Sequence, residues 1–298
     1  MRIFVTGATG HVGFRVATAL RRRGHSVLGL SRTDAGAARL ERHEIHAVRG
    51  TLQDPGTWKG AEACSTLVHA AADYTTDTMA LDRAAVNALL SLAGRGTGPK
   101  TVVYTSGVWV YGSTGDALAD ETSPLAPLPM SLARVETEKA VLGARGVKGL
   151  VLRPGCVYGY GGSLTAPWFA GAAAGKIEVV GDGSNRWATV HADDCAEAYA
   201  RTVESGRAGE VFNVTDRSRA PLRRLVIAAV RAAGFGGEIR WIPLAEARTT
   251  MGDFATALAV EQHVDSRKAV HQLGWQPSHG GFEDEAATYY ASWKAARD

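Results

Sequence analysis

The first thirteen residues, MRIFVTGATGHVG, leave this chain few folds to choose from. Ile3, Phe4 and Val5 form a short apolar run with the β-branched and aromatic bias of a strand buried on both faces. Thr6 closes it, and Gly7, Ala8, Thr9 and Gly10 make a turn too tight for large side chains. From His11 the period changes. Val12, Val16, Ala19 and Leu20 recur at helical spacing up to Arg23, and Gly24 stops the run. Strand, glycine turn and helix open a βαβ unit. With no side chains at Gly7, Gly10 and Gly13, a diphosphate can approach the backbone amides at the positive end of the helix.

Composition narrows the rest. At 298 residues, 45% hydrophobic and 21% charged, the chain suits one large α/β unit or two closely joined lobes. A net charge of +3 without a basic tract, Arg21 to Arg23 being the exposed end of the first helix, gives no nucleic-acid footprint. No apolar run reaches the length of a membrane span, and Met1 leads straight into the first strand, so the expected setting is cytoplasmic. Cys64, Cys156 and Cys195 are scattered, without CxxC spacing or histidine partners; they are expected to be buried free thiols, and no metal site is expected.

Along the chain, strands are expected at Ser26 to Leu30, Ala47 to Arg49, Thr66 to His69, Thr101 to Tyr104 and Val147 to Leu152, with a late one at Val211 to Val214. Helices are expected at Asp77 to Leu92, Ser131 to Ala144, Leu164 to Ala174, on to about Glu204, and at Leu222 to Ala233 and Phe282 to Ala296, with a breaker cluster at Gly94 to Pro99. Such alternation builds a doubly wound parallel α/β sheet. Beyond Gly159 it lapses. Residues 1–159, rejoined by about 189–216, are read as a dinucleotide-binding unit, with 160–188 and 217–298 as a smaller C-terminal substrate lobe.

Several phrases, in the right order over nearly the whole chain, carry a family resemblance. They are Thr6 to Gly13, which reads TGxxGxxG, then Tyr104 to Gly112, Arg153 to Gly159, His191 to Asp194 and Leu273 to Pro277. Together they resemble an extended or atypical short-chain dehydrogenase/reductase of the NAD(P)-dependent epimerase/dehydratase type. The resemblance implies a Rossmann-type sheet with the cofactor lying over the carboxyl ends of its strands. Its contacts would come from Thr6, Gly7, Thr9, Gly10, His11, Val12 and Gly13, from Ser31 and Arg32, and from Thr51 and Leu52. Ala70, Ala71, Thr105, Arg134, Pro154 and Val157 complete the set.

Two of these positions bear on which cofactor is bound. The residues after strand two normally meet the adenosine ribose, where a carboxylate favours NAD. Ser31 and Arg32 stand there instead, and a guanidinium suits a 2′-phosphate, so NADP is expected ahead of NAD. Thr51 occupies a position where many members carry an acidic residue beside the adenine.

The resemblance also implies a Tyr–Lys pair four residues apart after strand five, and a nearby Ser or Thr. Aligned by Glu138, the helix puts Arg134 at the lysine position and Met130 at the tyrosine position, while Gly107 takes the serine position. Tyr290 and Lys294, the chain's YxxxK, lie in the terminal helix and are read as chance. Ser106, Tyr111 and Arg134 are the catalytic candidates; Met130, Tyr158, Arg186 and Trp187 are the substrate candidates. His69 is read as a packed strand-end residue, and His191 with Asp193 and Asp194 as a tie between a late helix and the sheet.

The expected function is an NADP-dependent oxidoreductase acting on a small carbonyl or alcohol without the usual Tyr–Lys pair. An NAD(P)-bound epimerase or non-redox lyase, and a non-catalytic NADP(H) sensor, are the alternatives. A small-molecule substrate is the expected partner, without nucleic acid or membrane, and a homodimer through the helices after strands four and five is compatible.

Overall fold

The computed structural model describes residues 1–72, 77–95 and 98–297. Its strands are β1 (Arg2–Thr6), β2 (Ser26–Ser31), β3 (His46–Arg49), β4 (Thr66–His69), β5 (Lys100–Thr105), β6 (Val147–Pro154), β7 (Cys156–Tyr158), β8 (Ile177–Val180), β9 (Thr189–His191), β10 (Glu210–Val214) and β11 (Ile239–Ile242). The helices are α1 (His11–Arg22), α2 (Asp34–Glu41), α3 (Thr78–Gly94), α4 (Leu132–Leu142), α5 (Ala166–Ala173), α6 (Ala192–Glu204), α7 (Leu222–Ala232), α8 (Leu244–Met251), α9 (Asp253–Leu258), α10 (Arg267–Leu273) and α11 (Ala286–Ala295).

Seven strands form one parallel sheet in the order β10-β6-β5-β4-β1-β2-β3. The order reverses between β1 and β4, which opens a crevice at the carboxyl ends of those strands. Strand side chains alternate between the two faces. Ile3 and Val5 join α1 and α6 through Val16, Leu20, Ala196 and Tyr199, whereas Phe4 joins α3 through Val86 and Leu89. Because both faces are covered, the strands are apolar almost throughout.

Local signals place the helices. Asp77 caps α3 by accepting from the Ala80 amide, and Thr33 caps α2 by accepting from the Gly36 amide. The expected breaker at Gly94 to Pro99 ends α3 at Gly94; its residues 96 and 97 lie outside the described residues. The last helix starts at Ala286, four residues later than expected, and α2, α8, α9 and α10 are helices the sequence reading did not assign.

Outside the main sheet, β8 pairs with β11 and β7 with β9, each in a parallel two-stranded sheet. A third apolar cluster, around Trp168, Phe169, Val226, Phe282, Tyr289 and Trp293, packs α5, α7 and α11 onto the end of β7. Cys64 and Cys195 are buried, Cys156 is half-buried, and all three are free thiols. Among the described residues no helix is long and apolar enough to cross a membrane.

Candidate functional site

The turn after β1 is built to keep side chains out. Gly7 holds φ of +72°, and a Cβ there would lie 2.5 Å from the Ala70 carbonyl oxygen. A Cβ on Gly13 would lie 2.2 Å from the Gly7 carbonyl oxygen, so the first turn of α1 sits directly against the loop. The result is a cavity of about 270 Å³ at the switch point, walled by the glycine turn, by Leu30 of β2 and Arg32 just after it, by Leu52, and by Ala70 to Ala72 after β4. His11 also lines it, and its Nε2 is buried without a hydrogen-bond partner among the described residues. Burial, and then the charge of Arg15, pull the His11 imidazole below its ordinary range, so it stands neutral. An open amide-lined turn with an unpaired ring nitrogen beside it fits the diphosphate of a dinucleotide.

Of the cofactor candidates, Gly7, Thr9, Gly10, His11, Val12, Arg32, Leu52, Ala70 and Ala71 come together on this wall. The others stand behind or beyond it. Thr6 is buried and meets His69 Nδ1 at 2.8 Å. The Ser31 hydroxyl donates to the Thr33 carbonyl at 2.9 Å, and the Thr51 hydroxyl accepts from the Asp54 amide at 3.2 Å. The Thr105 hydroxyl is spent on the His69 carbonyl at 2.5 Å and accepts from Tyr199 at 2.7 Å. Pro154 ends β6, and Val157 is buried in β7.

Arg39 is a rim residue that the sequence reading missed. It lies on α2, donates to the Thr9 carbonyl at 3.3 Å, and rests its guanidinium 3.7 Å from the centre of the Phe14 ring. Its sequence signal is a basic residue in the last turn of the helix after strand two.

At the β5 exit the geometry is specific. Arg134 donates from Nη1 to the Thr105 carbonyl at 2.8 Å and to the Ser106 carbonyl at 3.3 Å. Beneath it, His69 Nε2 meets Asp82 at 3.2 Å and the Tyr104 hydroxyl donates to Asp82 at 2.7 Å. Burial pushes the Asp82 carboxyl up, but the His69 and Tyr104 hydrogen bonds and the Arg134 charge outweigh it and hold the group below the usual carboxylate range. His69 is thus a buried polar partner rather than a group facing the cavity, as its strand-end position suggested. Ser106 Oγ is buried and has no hydrogen-bond partner among the described residues.

Tyr111 sits otherwise than a proton donor would. It is 3% exposed, its hydroxyl donates to Asn213 Oδ1 at 2.8 Å and accepts from Arg153 Nη1 at 2.8 Å, and burial raises its pKa. Arg153 is in turn clamped by Glu138, Nε to Oε1 at 2.9 Å and Nη2 to Oε2 at 2.5 Å. A hydroxyl doubly bonded inside this buried network is held in place by the fold, with its donor already committed.

The substrate candidates divide. Tyr158 is fully buried and donates to the Gly280 carbonyl at 2.7 Å, which removes it from any pocket wall. Trp187 stacks on Trp168 at 5.5 Å and donates to the Leu258 carbonyl at 2.9 Å, which holds it inside the third apolar cluster. Arg186 pairs with Glu261 at 3.0 Å and faces a different cavity. Met130 alone keeps partial exposure near the β5 exit, packed on Leu128, Ala257, Val260 and Trp109 one turn before Arg134. His191 caps α6 by accepting from the Asp193 amide, and its ring stacks 3.7 Å from that of His279. With Asp193 the two imidazoles bring one potential ligand atom each within 4.8 Å of one another, so this corner groups three possible metal ligands where the sequence led us to expect only a tie between helix and sheet.

Comparison with known proteins gives a consistent picture. A sequence profile of the NAD dependent epimerase/dehydratase family matches residues 3–215. An uncharacterized protein of Schizosaccharomyces pombe is 30% identical, the match covering 97% of this chain and 99% of that protein. A 3-diazoavenalumate denitrifying reductase of a Streptomyces is also 30% identical, over 95% of this chain and 98% of its own. Among solved structures, a dTDP-glucose 4,6-dehydratase of Bacillus anthracis in complex with NAD superposes with a TM-score of 0.83 at 20% identity, covering 99% of this chain and 97% of that one. A human epimerase family protein with NADPH gives 0.80 at 22%, covering 98% and 99%. At such identities the structural matches speak for the fold alone.

Proposed function

The chain belongs to the NAD-dependent epimerase/dehydratase family, and on that premise we propose that it is an NADP-dependent oxidoreductase that reduces a small carbonyl compound, or oxidises the matching alcohol. The observation that carries this reading is the unobstructed glycine cradle at the sheet's switch point, with Arg32 on its rim. Relatives named as reductases, the Streptomyces enzyme and a ketoreductase of Stigmatella aurantiaca among them, support a redox reaction.

The residues divide the work as follows. Amides of the Gly7 to Val12 turn and the neutral His11 imidazole hold the diphosphate. Arg32, with Arg39 beside Thr9, supplies guanidinium groups for a 2′-phosphate, which an NAD cofactor lacks. When bound, the dinucleotide supplies or accepts the hydride. The Ser106 hydroxyl, the uncommitted one at the β5 exit, hydrogen-bonds the substrate oxygen. Arg134 keeps its charge at neutral pH and so stabilises negative charge on that oxygen without moving a proton. The proton comes from solvent through Ser106, since Tyr111 and Tyr158 are committed elsewhere.

Calorimetric titration with NADPH and NADH, followed by an assay of NADPH oxidation over a carbonyl panel, tests the reading. Saturable NADPH binding tighter than NADH, with turnover, is expected; no heat at saturating NADPH would overturn it. The same commitment of the tyrosine hydroxyls favours a second reading, a sensor that binds the dinucleotide without turning it over. Tight NADPH binding with no oxidation across the panel would select that one.

A further inference from the structure

A second cavity, of about 570 Å³, opens at the carboxyl end of β10. That volume lies within the range of small-molecule sites, roughly 300–1,000 Å³. It shares no lining residue with the cradle after β1. The sheet order sets β10 four strands from β1, about 19 Å at the usual spacing of roughly 4.8 Å.

Its wall has two characters. The floor is apolar, formed by Val264, Val270 and the buried Trp275. The rim is cationic. Arg186 and Arg267 are matched by Glu261 at 3.0 Å and Asp265 at 2.5 Å. Arg217 and Arg219, on the loop just after β10, make no hydrogen bond or ion pair through their side chains among the described residues. The remaining acid of the lining, Asp216, is bonded elsewhere: Oδ1 accepts from the Ser218 amide at 2.9 Å and Oδ2 from the Thr189 hydroxyl at 2.8 Å. Burial pushes its carboxyl up to about 7, so near neutrality it carries only part of a negative charge. Two guanidinium groups without counter-ions at the mouth of an apolar hollow lack an anion, and the hollow needs an apolar body to fill it.

We propose that this cavity is a second ligand site, binding an organic anion whose carboxylate or phosphate monoester meets Arg217 and Arg219 while its apolar body lies on Val264 and Val270, which Trp275 backs from within the fold. The assignment does not depend on the dinucleotide reading. Calorimetric titration of the full chain with 2-naphthyl phosphate, 2-naphthoate and the neutral 2-naphthalenemethanol tests it. At least one anion should bind at least about ten-fold tighter than the alcohol. The tighter of the two identifies a phosphate-bearing or a carboxylate-bearing ligand, and either result supports the site.

The double variant Arg217→Ala/Arg219→Ala should lose that preference yet keep its melting temperature, because neither side chain holds the fold together. Saturating NADPH should leave anion binding unchanged. No saturable binding of either anion, equal affinity for the alcohol, binding that survives loss of both arginines, or displacement by NADPH would each overturn the proposal.

Discussion

Tyr111 and Asn213 meet hydroxyl to amide oxygen at 2.8 Å, joining the turn after β5 to the outermost strand of the sheet. The bond decides what Tyr111 can do. Its hydroxyl also accepts from Arg153, so substitution takes the partner from two buried polar atoms, Asn213 Oδ1 and Arg153 Nη1. Tyr111→Phe should cost about 1–3 kcal/mol of stability by chemical denaturation. Turnover of NADPH by the folded variant should stay within about three-fold of wild type, a barrier change well under 1 kcal/mol. Complete loss of turnover in a folded variant would restore Tyr111 as proton donor.

Glu138 and Arg153 form the buried core of the same network, at 3% and 5% side-chain exposure. Removing one partner strands a buried charge. Arg153→Met should destabilise by about 3–5 kcal/mol, against about 0–1 for an exposed pair. The exposed pair Lys139–Glu136 serves as the control, and parallel urea titrations give the comparison.

The glycine turn separates binding from folding. Gly10 has an ordinary φ of −81°, and a Cβ there meets nothing nearer than the Gly7 carbonyl oxygen at 3.2 Å. Gly10→Val should therefore keep the fold while filling the diphosphate site, with dinucleotide affinity falling by at least about 100-fold, or about 2.7 kcal/mol. Gly13→Ala instead drives a methyl into the Gly7 carbonyl and should lower the melting temperature itself. Calorimetry and thermal unfolding on the two variants distinguish these effects.

The proposed preference for NADP rests on Arg32 and Arg39. Arg32→Ala and Arg39→Ala should each weaken NADPH by about ten-fold or more, from the loss of about 1.5–3 kcal/mol of charge-assisted hydrogen bonding. NADH affinity should hold within about two-fold, a change below 0.5 kcal/mol. An unchanged NADPH-to-NADH ratio in both variants would remove the basis for preferring NADP.

Two buried groups give opposite pH responses. Asp216 is raised by burial to about 7, against about 3.9 in an unfolded chain, so the folded state holds the extra proton between those values. Its contribution is present at low pH and is lost as pH rises from about 4 to about 7. His191 is lowered to about 4, first by burial and then by His279, so there the unfolded chain binds the extra proton. That contribution is present above about 6.5 and is lost as pH falls toward 4. Asp216→Asn should thus gain on the order of 1–3 kcal/mol at pH 8 relative to wild type and little at pH 4. His191→Asn, which keeps an acceptor for the α6 cap, should gain at pH 4 and little at pH 8. Denaturant titrations across pH 4–8 check both signs.

Much of this was legible in the amino-acid order, because the features concerned are local. The period change at His11, the glycines at 7, 10 and 13, and the capping Asp77 each act within a few residues, so β1, α1, β4 and α3 lie close to where the sequence puts them. The short helix α2 was not readable, since its single buried residue, Leu40, gives no periodic signal. The side chains near the reaction centre were harder still. Whether Tyr111, Tyr158 or Arg186 faces a ligand depends on Asn213, Gly280 and Glu261, partners 75 to 122 residues distant along the chain. Ser106, by contrast, was one residue from the position the resemblance marked, and its buried hydroxyl has no hydrogen-bond partner among the described residues.

The strand at Glu210–Val214 completes the main sheet against β6, although more than fifty residues separate the two in the chain. Production of the protein in pieces must respect that. A recombinant fragment ending near residue 159 would leave the whole backbone edge of β6 unpaired, a template for intermolecular strand addition, and should precipitate where the full chain stays dispersed. On the ribosome, likewise, the nascent sheet acquires its final border only after the greater part of the polypeptide has emerged.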